Sequence, residues 1–214
     1  MKHRELFNSI YLELLKSEYV TGILLMGSVA QNINSVNSDL DIIILSSKNE
    51  FFTEVIDNIL VEYTYITYEK AMKKLMEDKM DVYHYLFSEI CYDKHGKLSE
   101  LKALATEKYE NYNASIKDKN DIVHWLKSTK IKIESAISNT EVNFIVATTS
   151  WKIIEAIWII NNKPTPPCSS VIRLKGELKI LPFNNWFEKL FSEECNTRNI
   201  SFVEILEWCL ELLK

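Results

Sequence analysis

The chain has no Cys-x-x-Cys pair and no His-x-His or His-x-x-x-His pair, the spacings by which a zinc site or a dithiol redox centre is read from a sequence. Its four cysteines, Cys91, Cys168, Cys195 and Cys209, are widely separated and are expected to be buried free thiols. His84, His95 and His124 are expected to be structural or surface residues. Lys and Arg form no dense cluster, and the formal net charge is -5 at pH 7. Gripping a nucleic-acid backbone requires cations that neutralise phosphates, so no duplex nucleic acid is expected as a partner. No uninterrupted apolar run approaches the roughly 18 residues of a membrane span. The start, MKHRELFNSIYLELLKSEY, sets acids among its apolar residues, unlike a signal peptide. A cytoplasmic protein without a membrane partner is the expectation. Internal repeats and low-complexity tracts are also missing.

What is present is ordinary globular composition. The 214 residues are 47% apolar and 26% charged, enough for one sizeable domain or two small ones. Apolar spacing predicts a helix over 3–18. Gly22-Ile23-Leu24-Leu25-Met26 and Leu40-Asp41-Ile42-Ile43-Ile44-Leu45 then read as strands closed by Gly-Ser and Ser-Ser. A short helix is expected over 51–58, a third strand over 59–67, a helix over 68–79 and a fourth strand over 86–92. Gly96 offers a permissive turn ahead of the next helix. From about residue 115 onward the pattern is helical only, over 118–137, 141–161, 183–195 and 201–213. Pro164, Pro166 and Pro167 interrupt it with a rigid loop. The expected fold class is α+β, with a catalytic domain over 1–110 containing a mixed sheet flanked by helices, and a helical bundle over 111–214 for substrate binding.

Chemistry concentrates between Gly27 and Asp41. The missing Cβ of Gly27 would let a phosphate approach backbone N–H groups, with the Ser28 hydroxyl adding a hydrogen bond. Ten residues separate Ser28 from Asp39. Asp39 and Asp41 open a strand whose period of two sends both side chains to one face, where one metal can bridge them. Moving a phosphoryl group from a nucleoside triphosphate calls for hard oxygen ligands to Mg²⁺. Two carboxylates rarely complete such a site, and Glu62, between Val61 and Tyr63 in a β-rich run, is the expected third. A lone Asp-x-Asp is ordinarily a solvated strand end. The Gly-Ser turn before it and the Ile-Ile-Ile-Leu strand after it change that reading.

Gly-Ser, ten residues, Asp-x-Asp resembles the signature of the DNA polymerase β-like nucleotidyltransferase superfamily. In layout the chain is similar to the aminoglycoside and lincosamide nucleotidyltransferases, and Ile90 to Leu98 looks like the element that closes their catalytic domain. The resemblance implies two Mg²⁺ ions on Asp39, Asp41 and Glu62, and a nucleoside triphosphate held by Gly27 and Ser28. Ser38, beside Asp39, is counted with the nucleotide-binding candidates. Asn32 departs from the glycine that many relatives carry, but asparagine tolerates left-handed geometry.

In the helical half, Lys152 and Glu155 lie three apart on one predicted face. The ordinary reading is a surface ion pair. Antibiotic nucleotidyltransferases imply another, with Lys152 on the triphosphate and Glu155 orienting or deprotonating the acceptor. Trp125, Trp151 and Trp158 are expected in the core. Transfer of a nucleoside monophosphate to a small hydroxylated acceptor, an antibiotic for instance, is the leading expectation. A protein or tRNA acceptor, as in the antitoxin branch, and a non-catalytic nucleotide-binding module are the alternatives. A homodimeric state stays open.

Overall fold

The two apolar runs become the middle of a sheet. In the computed structural model, which describes residues 2–214, helix α1 (Lys2–Leu14) leads into β1 (Val20–Leu25), a short helix α2 (Gly27–Ala30), β2 (Leu40–Ser46), β3 (Glu50–Ile56) and β4 (Ile59–Ile66). Helices α3 (Tyr68–Glu77) and α4 (Val82–Leu86), strand β5 (Glu89–Asp93) and helix α5 (Lys97–Glu110) follow. The strand order is β3-β4-β2-β1-β5. Strands β2 and β4 are parallel, and the other neighbours are antiparallel. Strands β1 and β2 are buried along nearly their whole length, which is why they read as continuous Ile and Leu runs rather than alternating ones. Phe7 and Ile10 of α1 pack with Ile23, Ile42, Ile44 and Tyr63 on one face. On the other face Gly22 lies under Leu98 of α5, where an added Cβ would come within 2.8 Å of Leu98 Cδ1.

Residues 51–58, expected as a helix, instead form the edge strand β3 and its turn into β4. Asp57 and Asn58 take φ of 53° and 65°, the two-residue turn whose twist matches flanking antiparallel strands. A helix cannot continue through two left-handed residues, and Phe51, Phe52, Thr53 and Val55 suit a strand. Helix α1 ends at Leu14, short of the expected residue 18, and β5 starts only at Glu89 because Val82–Leu86 wind into α4.

The chain divides into two compact units, Met1–Asn111 and Tyr112–Lys214. The second holds α6 (Ile116–Glu134), α7 (Asn139–Ile160), α8 (Cys168–Leu174), a 3-10 turn over Lys175–Glu177, α9 (Trp186–Leu190) and α10 (Cys195–Leu212). Ser115 and Ser138 set two of the starts. Each side-chain oxygen accepts from the backbone N–H three residues on, at Asp118 and Glu141, satisfying a donor that the first turn leaves unpaired. Helices α6, α7 and α10 pack together, burying Leu126, Ile153, Ile157, Trp158, Phe202 and Ile205. By length and composition α7 could cross a membrane, a property that uninterrupted runs miss because Thr148, Thr149, Lys152 and Glu155 break it up. Its Val146, Ile154 and Ile159 are buried.

Two expectations about side chains need correction. Only Cys209 is buried, whereas Cys168 and Cys195 are exposed on the first residues of α8 and α10. Trp158 is core, but Trp125 is 45% exposed, with Lys152 Nζ 5.7 Å from its ring centre.

Candidate active site

The site begins where β1 ends. Gly27 takes φ of +66°, turning the chain into α2, and Ile33 N–H donates to Ser28 O at 3.0 Å. Asn32 follows with φ of 58°, the left-handed geometry expected of it. Met26 N–H donates to Asp41 O at 2.9 Å, fastening the turn to the start of β2. The structure gives a reason for glycine here beyond the expected approach of a phosphate. A Cβ on Gly27 would run into Asp41 Oδ2, well inside van der Waals contact, so the missing side chain makes room for a carboxylate.

Asp41 and Glu62 are directly paired in the parallel β2–β4 register, which puts both side chains on one face of the sheet. Asp39, one residue ahead of β2, joins them. Each of the three offers a carboxylate oxygen, and these oxygens lie within 4.8 Å of one another. Asp39 is exposed, while Asp41 and Glu62 are half-buried. Burial pushes the Asp41 carboxyl up to about 6, the Asp39 and Glu62 charges add to the rise, and His84 opposes it. Three hard oxygen donors whose mutual repulsion costs free energy suit a divalent cation such as Mg²⁺. A second feature lies in the adjoining turn: Ser28 Oγ is buried with no hydrogen-bond partner. Such a group costs about 1–3 kcal/mol, and a ligand oxygen would satisfy it.

The loop between the turn and the acids is held from α1, by residues that no spacing in the sequence singles out. His3 is buried, with Ser38 O 2.9 Å from Nε2 and Asn34 Nδ2 3.2 Å from Nδ1. A neutral ring protonated on Nε2 satisfies both contacts. Arg4 pairs with Glu89 at 2.7 Å and donates to Asn32 Oδ1 at 3.4 Å. Asp39 is thus approached along a segment clamped two ways. The Ser38 hydroxyl, counted among the nucleotide-binding candidates, accepts from Ser35 N–H at 2.9 Å and so closes the loop's own turn. His84, read from sequence as structural or surface, opposes the rise at Asp41, and its Nδ1 lies 3.1 Å from Oδ1 of buried Asp81. Lys152 and Glu155 belong to α7 in the second unit, where Nζ and Oε2 pair at 2.5 Å.

With this geometry in hand, likeness to known proteins becomes informative. The crystal structure of a nucleotidyltransferase-like protein from Exiguobacterium sibiricum is similar, with a TM-score of 0.52 at 12% identity over 95% of this chain and 73% of that one. At such identity the likeness speaks for the fold alone. No curated protein sequence matches the chain. The nucleotidyltransferase domain family matches residues 9–147, a span that takes in the Gly-Ser turn and all three acids. It covers more than half of the chain, and the chain therefore belongs to the nucleotidyltransferase domain family.

Proposed function

We propose that this protein transfers a nucleoside monophosphate from a nucleoside triphosphate to a hydroxyl of a small molecule, releasing pyrophosphate. The observation that carries the reading is the meeting of Asp39, Asp41 and Glu62 beside the Gly27–Ser28 turn. Asp39, Asp41 and Glu62 would hold Mg²⁺, with two ions expected. Metal bound there supplies charge neutralisation for the leaving pyrophosphate and lowers the proton affinity of the hydroxyl. The turn would bind the β and γ phosphates through Ser28 Oγ and backbone N–H groups, so catalysis rests on positioning and fixed charge. The net charge of -5 without a basic track favours a small acceptor over nucleic acid, and an antibiotic of aminoglycoside or lincosamide type is the acceptor class we favour. Lys152 and Glu155 are our candidates for triphosphate and acceptor contacts. They pair with each other at 2.5 Å, and the remaining ammonium N–H groups and carboxylate oxygen are left for such contacts.

Incubation with ATP, GTP, CTP or UTP, Mg²⁺ and a panel of hydroxylated antibiotics should give an acceptor heavier by one nucleoside monophosphate in mass spectra. Adduct only on added protein or tRNA would move the acceptor class, and nucleotide binding with no adduct anywhere would count against transfer altogether.

Two further results are expected. Ser28→Ala removes a hydroxyl that has no partner in the free protein, so the unfolding temperature should not fall. The KM for the triphosphate should rise about ten- to a hundredfold, the value of one hydrogen bond to a charged group; thermal unfolding reads the first outcome and initial-rate kinetics the second. Metal affinity should depend on pH, since Asp41 holds its proton up to about pH 6 and the cation must displace it. Titration with Mn²⁺ followed by electron paramagnetic resonance should show affinity nearly flat above pH 7 and falling about tenfold per pH unit below 6. An affinity unchanged between pH 5 and 8 would remove Asp41 from the metal site.

A further inference from the structure

The α1 face of the sheet carries a cavity of about 510 Å³, within the range of small-molecule sites. Leu6, Ile10 and Leu14 of α1 form one wall, and Phe52, Tyr63 and Tyr65 of the β3–β4 hairpin form the other. The Phe52 ring stacks on Tyr63 at 4.7 Å and lies 6.0 Å from Tyr65, giving a continuous aromatic surface. This is a different place from the acidic site. Side chains alternate along β4, so Tyr63 and Tyr65 face away from the side on which Glu62 stands.

The charges around this hollow are of one sign. Apart from its tyrosines, the ionisable residues lining it are Glu13 and Glu54, with no Lys, Arg or His. Glu13 is already paired with Lys16 at 2.6 Å. Glu54 Oε1 accepts from the Tyr63 hydroxyl at 2.6 Å, which holds the carboxylate at the aromatic wall. Among the described residues Glu54 has no ion-pair partner. An anionic ligand would meet the unpaired Glu54 carboxylate, and a neutral one would leave it without a counter-charge. Beyond Phe52 and Tyr65 the surface continues into a smaller hollow of about 210 Å³ that includes Lys48 and Glu50, so the apolar stretch is one small molecule long.

We propose that this groove binds a small amphiphilic amine, an aromatic or branched apolar body bearing a single ammonium group, with the body between α1 and the Phe52–Tyr63–Tyr65 wall and the ammonium on Glu54. The proposal does not depend on nucleotidyl transfer. Three probes of one shape test it by isothermal titration calorimetry at pH 7: 1-naphthylmethylamine as the cation, 1-naphthalenemethanol as the neutral form and 1-naphthoate as the anion. The amine should bind one per chain, at least tenfold more tightly than the alcohol, and the anion should not bind. Glu54→Gln, at an exposed position, should weaken the amine about tenfold and leave the alcohol unchanged. Ser9→Trp, on an exposed α1 position lining the groove, should block both. Asp39→Asn should leave amine binding intact. The proposal is overturned if the amine does not saturate, if amine and alcohol bind alike, or if Asp39→Asn abolishes binding by showing that the cation sits among the acids.

Discussion

Asp41→Asn should reduce nucleotidyl transfer about a thousandfold and, in the same preparation, make the metal-free protein more stable. The loss follows if Asp41 holds metal, because several kcal/mol of charge stabilisation disappear with it. The gain in stability follows from the cost of keeping this carboxylate ionised against burial and the Asp39 and Glu62 charges. The sign can be worked from the shift. Folding raises the carboxyl from its ordinary 3.8 to about 6, so the folded state binds the proton more tightly. The contribution of Asp41 to stability is therefore most favourable below about pH 4 and falls as pH rises through 6. Asparagine removes that penalty. The variant should be more stable by about 1–3 kcal/mol above pH 7, and the difference should shrink to about a third of that by pH 4.5. Denaturant unfolding of both proteins in the presence of a chelator, at pH 7.5 and at pH 4.5, measures it. A variant less stable than wild type at pH 7.5 would contradict the account of the strained acids, whatever happened to activity.

The second large effect is expected at Gly27. Gly27→Ala should destabilise the protein by about 2–5 kcal/mol and bring transfer to about one per cent of wild type or less. Two costs add. A φ of +66° disfavours any side chain by about 1–2 kcal/mol, and the new Cβ meets Asp41 Oδ2, an overpacking cost of about 1–3 kcal/mol. They separate in a double-mutant cycle, because the second requires the Asp41 carboxylate. In an Asp41→Ala background Gly27→Ala should cost only the backbone part. Equal costs in both backgrounds would show that Gly27 serves the turn alone and that the contact with Asp41 is incidental.

Much of the acidic site was legible because it is local. Gly27, Ser28, Asp39 and Asp41 fall within one short stretch, and strand periodicity is enough to put two carboxylates on one side. Glu62 could be picked by composition, but its place opposite Asp41 depends on a parallel β2–β4 register, which no spacing within either strand states. The role of Gly27 was read as room for a phosphate, since contact with Asp41 arises only when two strand ends meet. Residues 51–58 misled because Phe, Glu, Val and Ile fit several periods, and only pairing with β4 through Asp57-Asn58 resolves them as a strand.

His3 and Arg4 were invisible in another way. Each is an ordinary helix residue by sequence, and each acquires its purpose from a loop about thirty residues away that has no regular pattern of its own. Sequence by itself therefore determined the strands β1 and β2, the Gly-Ser turn and the pair of aspartates, all set by interactions a few residues long. The tertiary structure alone decided that Glu62 stands opposite Asp41, that a side chain on Gly27 would meet Asp41, what clamps the loop to Asp39, and that an apolar groove with Glu54 at its wall opens on the opposite face. Those features depend on strand register and on α1 packing over the sheet, and both are contacts between residues far apart in the chain.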